Sequence, residues 1–507
     1  MGRTIARWTA GLAVTGLAAA ALLYSSPDAE RAEATTALSP AVVVSKMTGP
    51  GSVSNTPANW GVYSTDLGIM WDNGSGQILA AFGDTFGNTW TPPGGNGNDW
   101  RSQVLLRSTD TNLSDGMSFA SAATDVPGHA KELIPSKKID NDEMTVIPTA
   151  GVAVGTRQYL AYMSVRHWGV PGSWDTNYAA IAYSDDNGQT WVTAGGPRWD
   201  NPGGTNKFQM VAFVRDGGYV YMFGTPNGRT GSAYLARVAE ASMLTKSAFT
   251  YWNGSSWSSS ESAAVAIVSA PVAELSVQKN AYSGKWLMSY MQGSDIVLRN
   301  ATGPTASWST PEVIASSADY PGPYGGFMHP WSSGSELYFA LSEWDPYNVY
   351  LLKVNLTATG TVANPNLVRD PSFERQTTGS ASSPWACTGN CGIDNGIWGF
   401  SGDRNGFVRY NSGWHDIHQV VTVTPNTNYR MTGFIRTSGN NDNGFFGVRN
   451  VGGAPISEAN FHAVGSWTRY TVTFNSGSRT SVELFTGIWT DHGDMWVQVD
   501  DYSLTTY

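Results

Sequence analysis

The sequence predicts an all-β protein, a five-bladed β-propeller followed by a β-sandwich of the jelly-roll type. Three observations carry this. Aromatic residues make up 12% of the 507-residue chain, with 21 Trp, while charged residues reach only 14%. Gly (57) and Pro (25) recur as turn signals between short apolar runs, the pattern of strands joined by tight turns. The segment 56–357 also repeats one arrangement: an apolar strand, a Gly/Asn turn, a second apolar strand, then further β-rich sequence.

Five such units can be drawn. They pair 67–71 with 78–82; 146–154 with 158–164, then 179–184; 210–215 with 219–224, then 233–238; 275–280 with 285–290, then 296–299; and 327–331 with 337–341, then 349–354. Closed radial repetition suits a block of this size; the alternative is a large irregular sandwich. One motif favours the propeller directly. Ser184-Asp185-Asp186-Asn187-Gly188-Gln189-Thr190-Trp191 has the S-x-D-x-G-x-T-W form of the Asp-box, a hairpin-shaping element on the outer part of propeller blades.

The rest of the chain divides by composition. Residues 1–34 carry a basic start (Arg3, Arg7), an apolar stretch from Thr9 to Leu23 and the A-x-A site Ala32-Glu33-Ala34, as in a secretory signal peptide. An uncleaved anchor is the alternative. A secreted, extracellular protein with no membrane contact after cleavage is expected. Residues 35–55 read as a polar leader, 358–365 as a linker, and 366–507 as the second domain. The two cysteines, Cys387 and Cys391, are close enough for a local disulfide in an exported protein. The net charge of −10 and the lack of a Lys/Arg stripe exclude nucleic acid as the expected partner. An acidic, Trp-rich surface suits a neutral polysaccharide. No Gly-rich phosphate loop precedes a helix, so no organic cofactor is expected, and a monomer is expected.

The chemistry concentrates in residues 64–87. Asp72–Gly76 is a turn rich in residues that tolerate positive φ. A hairpin centred near Ser75 places Met70 opposite Ala80, Gly68 opposite Phe82 and Asp66 opposite Asp84. Like charges directly across a ladder are destabilising, whereas two neighbouring carboxyls are what glycoside hydrolysis uses, one as proton donor and one ionised. The structural alternative is one Asp capping a turn and the other facing solvent. Polar residues at the equivalent strand starts, Asp142, Glu143, Gln209, Glu274 and His329, are candidates for binding sugar hydroxyls. Trp168, Trp174, Trp331 and Trp344 are candidate stacking surfaces, with core packing as the rival reading of each.

Thr65-Asp66-Leu67-Gly68-Ile69-Met70-Trp71 and Phe82-Gly83-Asp84-Thr85-Phe86 resemble the signature of the bacterial endo-D-arabinanases, a family once catalogued as a domain of unknown function and common in actinobacteria. Glu274-Leu275-Ser276-Val277, Gly284-Lys285-Trp286 and His329-Pro330-Trp331 fit the same pattern, and the resemblance spans about residues 50–357. It implies a five-bladed propeller that cleaves internal α-D-arabinofuranose linkages of mycobacterial arabinogalactan and lipoarabinomannan. It also implies that Asp66 and Asp84 are the catalytic acid and base, in an order it leaves open. Two other readings stand beside it: a propeller glycosidase for another furanoside polymer such as L-arabinan, and a non-catalytic cell-wall glycan-binding protein.

The segment 366–507 resembles the jelly-roll carbohydrate-binding modules appended to glycosidases. That resemblance implies a structural Ca²⁺ held by Glu374 with Asp500 or Asp501, with ordinary turn carboxylates as the alternative. It makes Trp398, Trp414 and Trp489 candidate sugar platforms, with core Trp as the rival for each.

Overall fold

The structure, a computed structural model, describes residues 39–506 apart from 92, 318, 333, 364–365, 397–398 and 492. The segment 1–34, read as a signal peptide, and Trp398 lie outside the described residues. The chain is all-β, and among the described residues no helix is long and apolar enough to cross a membrane.

Five antiparallel sheets of four or five strands make the propeller. Their inner strands are Leu67–Asp72, Thr145–Val154, Met210–Asp216, Ala273–Asn280 and Pro323–Met328, each packing on the next and the last on the first. The blades explain the continuous apolar runs. Successive side chains of a strand point to opposite faces, and here both faces are covered. In blade one Ile78, Ala80 and Phe82 join the cluster shared with blade five, while Leu79 and Ala81 join the cluster shared with blade two. A strand buried on both sides needs no polar alternation.

The Asp-box links the third and fourth strands of blade two. Ser184 Oγ accepts the Gly188 N–H (2.9 Å), and the Asp186 carboxylate accepts the Thr190 N–H (2.8 Å) and hydroxyl (2.6 Å). Asn187 and Gly188 take the left-handed conformation this turn requires (φ 57° and 78°). Trp191 beneath it packs edge-on against Trp71.

Two expectations are corrected. The segment read as a polar leader contains Val42–Lys46, which pairs antiparallel with Asn348–Asn355 as the outermost strand of blade five. Its β-branched Val42-Val43-Val44 run favours a strand, and it closes the ring. The inner strand of blade five runs from Pro323 to Met328, with Phe327 opposite Ala340, rather than from Phe327 to Trp331. Pro323, Gly325 and Gly326 hide it from a propensity reading.

The second block is a sandwich of two five-stranded antiparallel sheets. One holds Gly413–Thr422, Ser481–Thr490 and Gly444–Arg449; the other holds Arg404–Tyr410, Met495–Thr506 and Asn428–Thr437. Ile417, Val421, Leu484 and Ile488 from the first face Val408, Met431, Val497 and Leu504 from the second. Cys387 and Cys391 are joined by a disulfide.

Candidate active site

The inner strand of blade one begins with a kink. Leu67 and Gly68 both take the left-handed conformation, at φ 70° and 77°. A branched side chain there is strained and must be held by its surroundings; Ser342 Oγ accepts the Leu67 N–H at 2.7 Å. Met70 stands opposite Ala80 as expected, but the bulge places Leu67, not Gly68, opposite Phe82. The Asp66 carbonyl then accepts the Gly83 N–H at 3.0 Å. The slip is local, since beyond it Ser64 bridges to Phe86 in the expected register. The slip is one residue, the amount by which a bulge shifts register, and both acids still line one cavity of about 770 Å³.

Their surroundings differ. Asp84 Oδ1 accepts from Trp100 Nε1 (2.8 Å) and from the Thr145 hydroxyl (2.6 Å). Burial pushes its pKa up to about 6, and these two donors oppose the rise. Asp66 accepts one bond at Oδ2, from the Tyr324 hydroxyl at 3.0 Å, and its Oδ1 is buried without a hydrogen-bonding partner. Burial first and the neighbouring Asp84 charge second push Asp66 up to about 8, against the Tyr324 and Tyr347 hydroxyls. Near neutrality one acid holds its proton while the other has mostly lost it, the division of labour that acid–base cleavage requires.

The cavity has an aromatic wall on each side. Trp168 and Trp174, in edge contact at 5.7 Å, come from blade two. Trp344 and Tyr347, at 5.8 Å, come from the turn after the second strand of blade five. Trp344 (52% exposed) and Trp168 (39%) offer open ring surface, while Trp174 is buried. Glu274 also lines the cavity. Its Oε1 takes the Arg229 guanidinium at 2.8 Å, its Oε2 takes the Gly325 N–H at 3.2 Å, and its backbone is left-handed (φ 49°).

The other candidates lie elsewhere. Asp142 is an exposed ion-pair partner of Lys137 (2.7 Å), and Glu143 accepts the Ser164 hydroxyl (2.6 Å); neither lines the cavity. Gln209 is buried and ties its strand to blade two through Thr176 and the Trp199 carbonyl. His329 and Trp331 fall at the opposite end of the inner strands, because the blade-five strand starts earlier than its sequence suggests. Trp331 Nε1 there donates to Asp72 Oδ2 at 2.7 Å, and burial lowers the pKa of His329 to about 4. Sequence reasoning missed Trp100, Thr145, Arg229, Tyr324 and Tyr347. Only Tyr324, in the Pro323-Tyr324-Gly325-Gly326 run, carries a local signal, that of a close backbone approach.

In the sandwich, Trp489 is 50% exposed and stands across from Trp414 on the outer face of its sheet. Trp414 Nε1 donates to the buried Asp416, which also holds His418 and Arg449. The acids read as a metal site separate. Glu374 and Asp500 are buried, and burial first, with neighbouring acids adding to it, lifts both well above the carboxylate range. Asn405, fully buried, has no partner for either side-chain polar atom. Gly406 pairs with Val499, so the same register places Asn405 across from Asp500. Asp501 instead accepts the Ser401 hydroxyl (2.7 Å). Among the described residues no group of three or more His, Cys, Asp or Glu forms a metal cluster.

Residues 51–353 match the model of the family described as "Domain of unknown function (DUF4185)". Notoamide biosynthesis cluster protein J of Aspergillus sp. (strain MF297-2) is 34% identical over 306 residues, covering 56% of this chain and 80% of that protein. Among solved structures, an exo-β-1,3-galactanase from Phanerochaete chrysosporium aligns at 12% identity and TM-score 0.40, over 92% of this chain and 100% of that one. An arabinoxylan arabinofuranohydrolase from Bacillus subtilis aligns at 11% identity and TM-score 0.37, over 92% and 99%.

Proposed function

The chain belongs to the DUF4185 family, and from that premise and the acid pair we propose that it is a secreted glycoside hydrolase cleaving internal α-D-arabinofuranosidic linkages of mycobacterial arabinogalactan and lipoarabinomannan. The observation that carries the reading is the unequal pair of half-buried carboxyls in one aromatic-walled cavity. Asp66, which keeps its proton, is the general acid that protonates the leaving glycosidic oxygen. Asp84, whose Oδ1 is engaged by Trp100 and Thr145, is ionised and takes the proton of the attacking water. Trp168 and Trp344 stack furanose rings on either side of the pair, and Glu274 offers a carboxylate to sugar hydroxyls. A protein that only grips glycan gains nothing from two neighbouring half-buried acids, one of which raises the proton affinity of the other.

In the sandwich, Trp414 and Trp489 form the glycan platform. Glu374, Asp500 and the Asn405 side-chain oxygen are hard donors suited to Ca²⁺, which would neutralise two buried acids there. Asp501, turned to Ser401, takes no part.

Incubating the mature protein with purified mycobacterial arabinogalactan and chromatographing the products tests the reading. A ladder of D-arabino-oligosaccharides is expected. Release of monosaccharide alone, or from L-arabinan alone, would replace the assigned linkage. Binding of the polymer without release would replace catalysis by glycan binding.

A further inference from the structure

We infer that the C-terminal sandwich is a fixed buttress of the active-site wall, with Arg375 as the positioning residue that acts across the interface; this rests on the acid pair being the reactive site.

The sandwich is seated on blade five by close, partly buried contacts. Ser372 Oγ donates to the Val43 carbonyl at 3.0 Å in a buried bond, and Arg369 Nε lies 3.4 Å from Asp319 Oδ1. At Gly402 a Cβ would stand 2.7 Å from the Val44 carbonyl, so the loop can approach that strand only as glycine.

Arg375 reaches furthest. Its guanidinium donates to the Asp319 carbonyl, lies 4.9 Å over the Tyr320 ring, and stands 3.7 Å from Glu343 Oε1. It thus touches the two segments that supply the blade-five wall. Asp319 and Tyr320 lead into Gly322, Pro323 and Tyr324, which line the cavity. Glu343 ends the second strand of the blade and precedes Trp344 and Tyr347. The Tyr347 N–H donates to the Glu343 carbonyl (3.0 Å), and the Trp344 N–H to the Gly322 carbonyl (3.2 Å), locking the two segments together.

Glu343 is 4% exposed. Burial pushes it up to about 7, and the charges of Arg375 and Lys46 oppose the rise. A buried carboxylate that loses its counter-charge must take up a proton or move towards water. Movement at Glu343 would be passed to Trp344 and Tyr347, and small misplacements around reacting groups are costly in rate.

The test uses the full chain and the variants Arg375→Met, Arg375→Lys, and Arg375→Met with Glu343→Gln. It follows cleavage of a short soluble D-arabino-oligosaccharide and amide exchange in residues 319–324 and 343–347. Arg375→Met is expected to lower kcat about tenfold with KM little changed, as expected when alignment rather than binding is lost, and to speed exchange in both segments. Arg375→Lys should retain part of the rate, and the double variant should regain most of it, because the uncompensated charge is gone. Unchanged kcat and exchange in Arg375→Met, a loss confined to KM, or a double variant no better than the single one would overturn the inference. An inactive wild type would instead overturn the hydrolase reading, and the exchange measurement alone would decide the role of Arg375.

Discussion

The Asp66 carboxyl occupies the space that a side chain on residue 83 would need: a Cβ on Gly83 would stand 2.3 Å from Asp66 Oδ1. Gly83 is not in the left-handed region, so it is required for room and not for backbone freedom. Gly83→Ala should therefore leave the propeller folded, by circular dichroism and thermal unfolding, while displacing the acid. A rate loss of about a hundredfold is expected from misplacing a reacting group. Retained activity would show that Asp66 does not act from this position.

The pair sets the pH dependence. Asp84 must be ionised and Asp66 protonated, so kcat/KM should rise through about pH 6, fall through about pH 8, and peak near neutrality. Tyr324 donates to Asp66 and favours its charged form. Tyr324→Phe removes that bond, so the falling limb should move to higher pH. A shift of the rising limb instead would reverse the assigned roles.

Stability follows with a definite sign. The proton affinity of Asp66 is raised in the native state, so the native chain holds a proton that the unfolded chain gives up near pH 4. The unfolded state binds fewer protons between about pH 4 and 8, and stability falls as pH rises across that window. Asp66→Asn cannot ionise and should melt above wild type at pH 8, with the difference shrinking towards pH 4. Equal melting temperatures at pH 8 would show that Asp66 titrates normally.

The sandwich should respond to metal separately. Adding Ca²⁺ to chelator-treated protein should raise the melting temperature of wild type and of Asp501→Asn, but not of Asp500→Ala or Asn405→Ala. The opposite ranking of the two Asp variants would place the ion on Asp501.

The sequence made most of the propeller legible, because blades buried on both faces leave continuous apolar runs and the Asp-box is a local motif. Blade five was harder to read: its inner strand contains Pro323, Gly325 and Gly326, and its outer strand, Val42–Lys46, lies some 300 residues away from its partner in the chain. Asp66 and Asp84 could be brought together from turn chemistry alone, since a one-residue slip leaves both at the same strand ends. The bulge at Gly68 could not be read, as nothing local distinguishes it from a regular pair. Trp100, Thr145 and Tyr324 were out of reach because the contacts that join them to the acids bridge different blades or loops. His329 and Trp331 misled for the same reason in reverse, a strand misplaced by four residues.

The central proposal, that Asp66 and Asp84 perform the cleavage, is tested most directly by the single variants Asp66→Asn and Asp84→Asn, assayed for oligosaccharide release and for glycan binding. Each is expected to lose release by about 10³-fold or more while still binding the polymer, as general acid–base groups typically contribute 10²–10⁴-fold. Release at the wild-type rate by both variants would contradict the proposal.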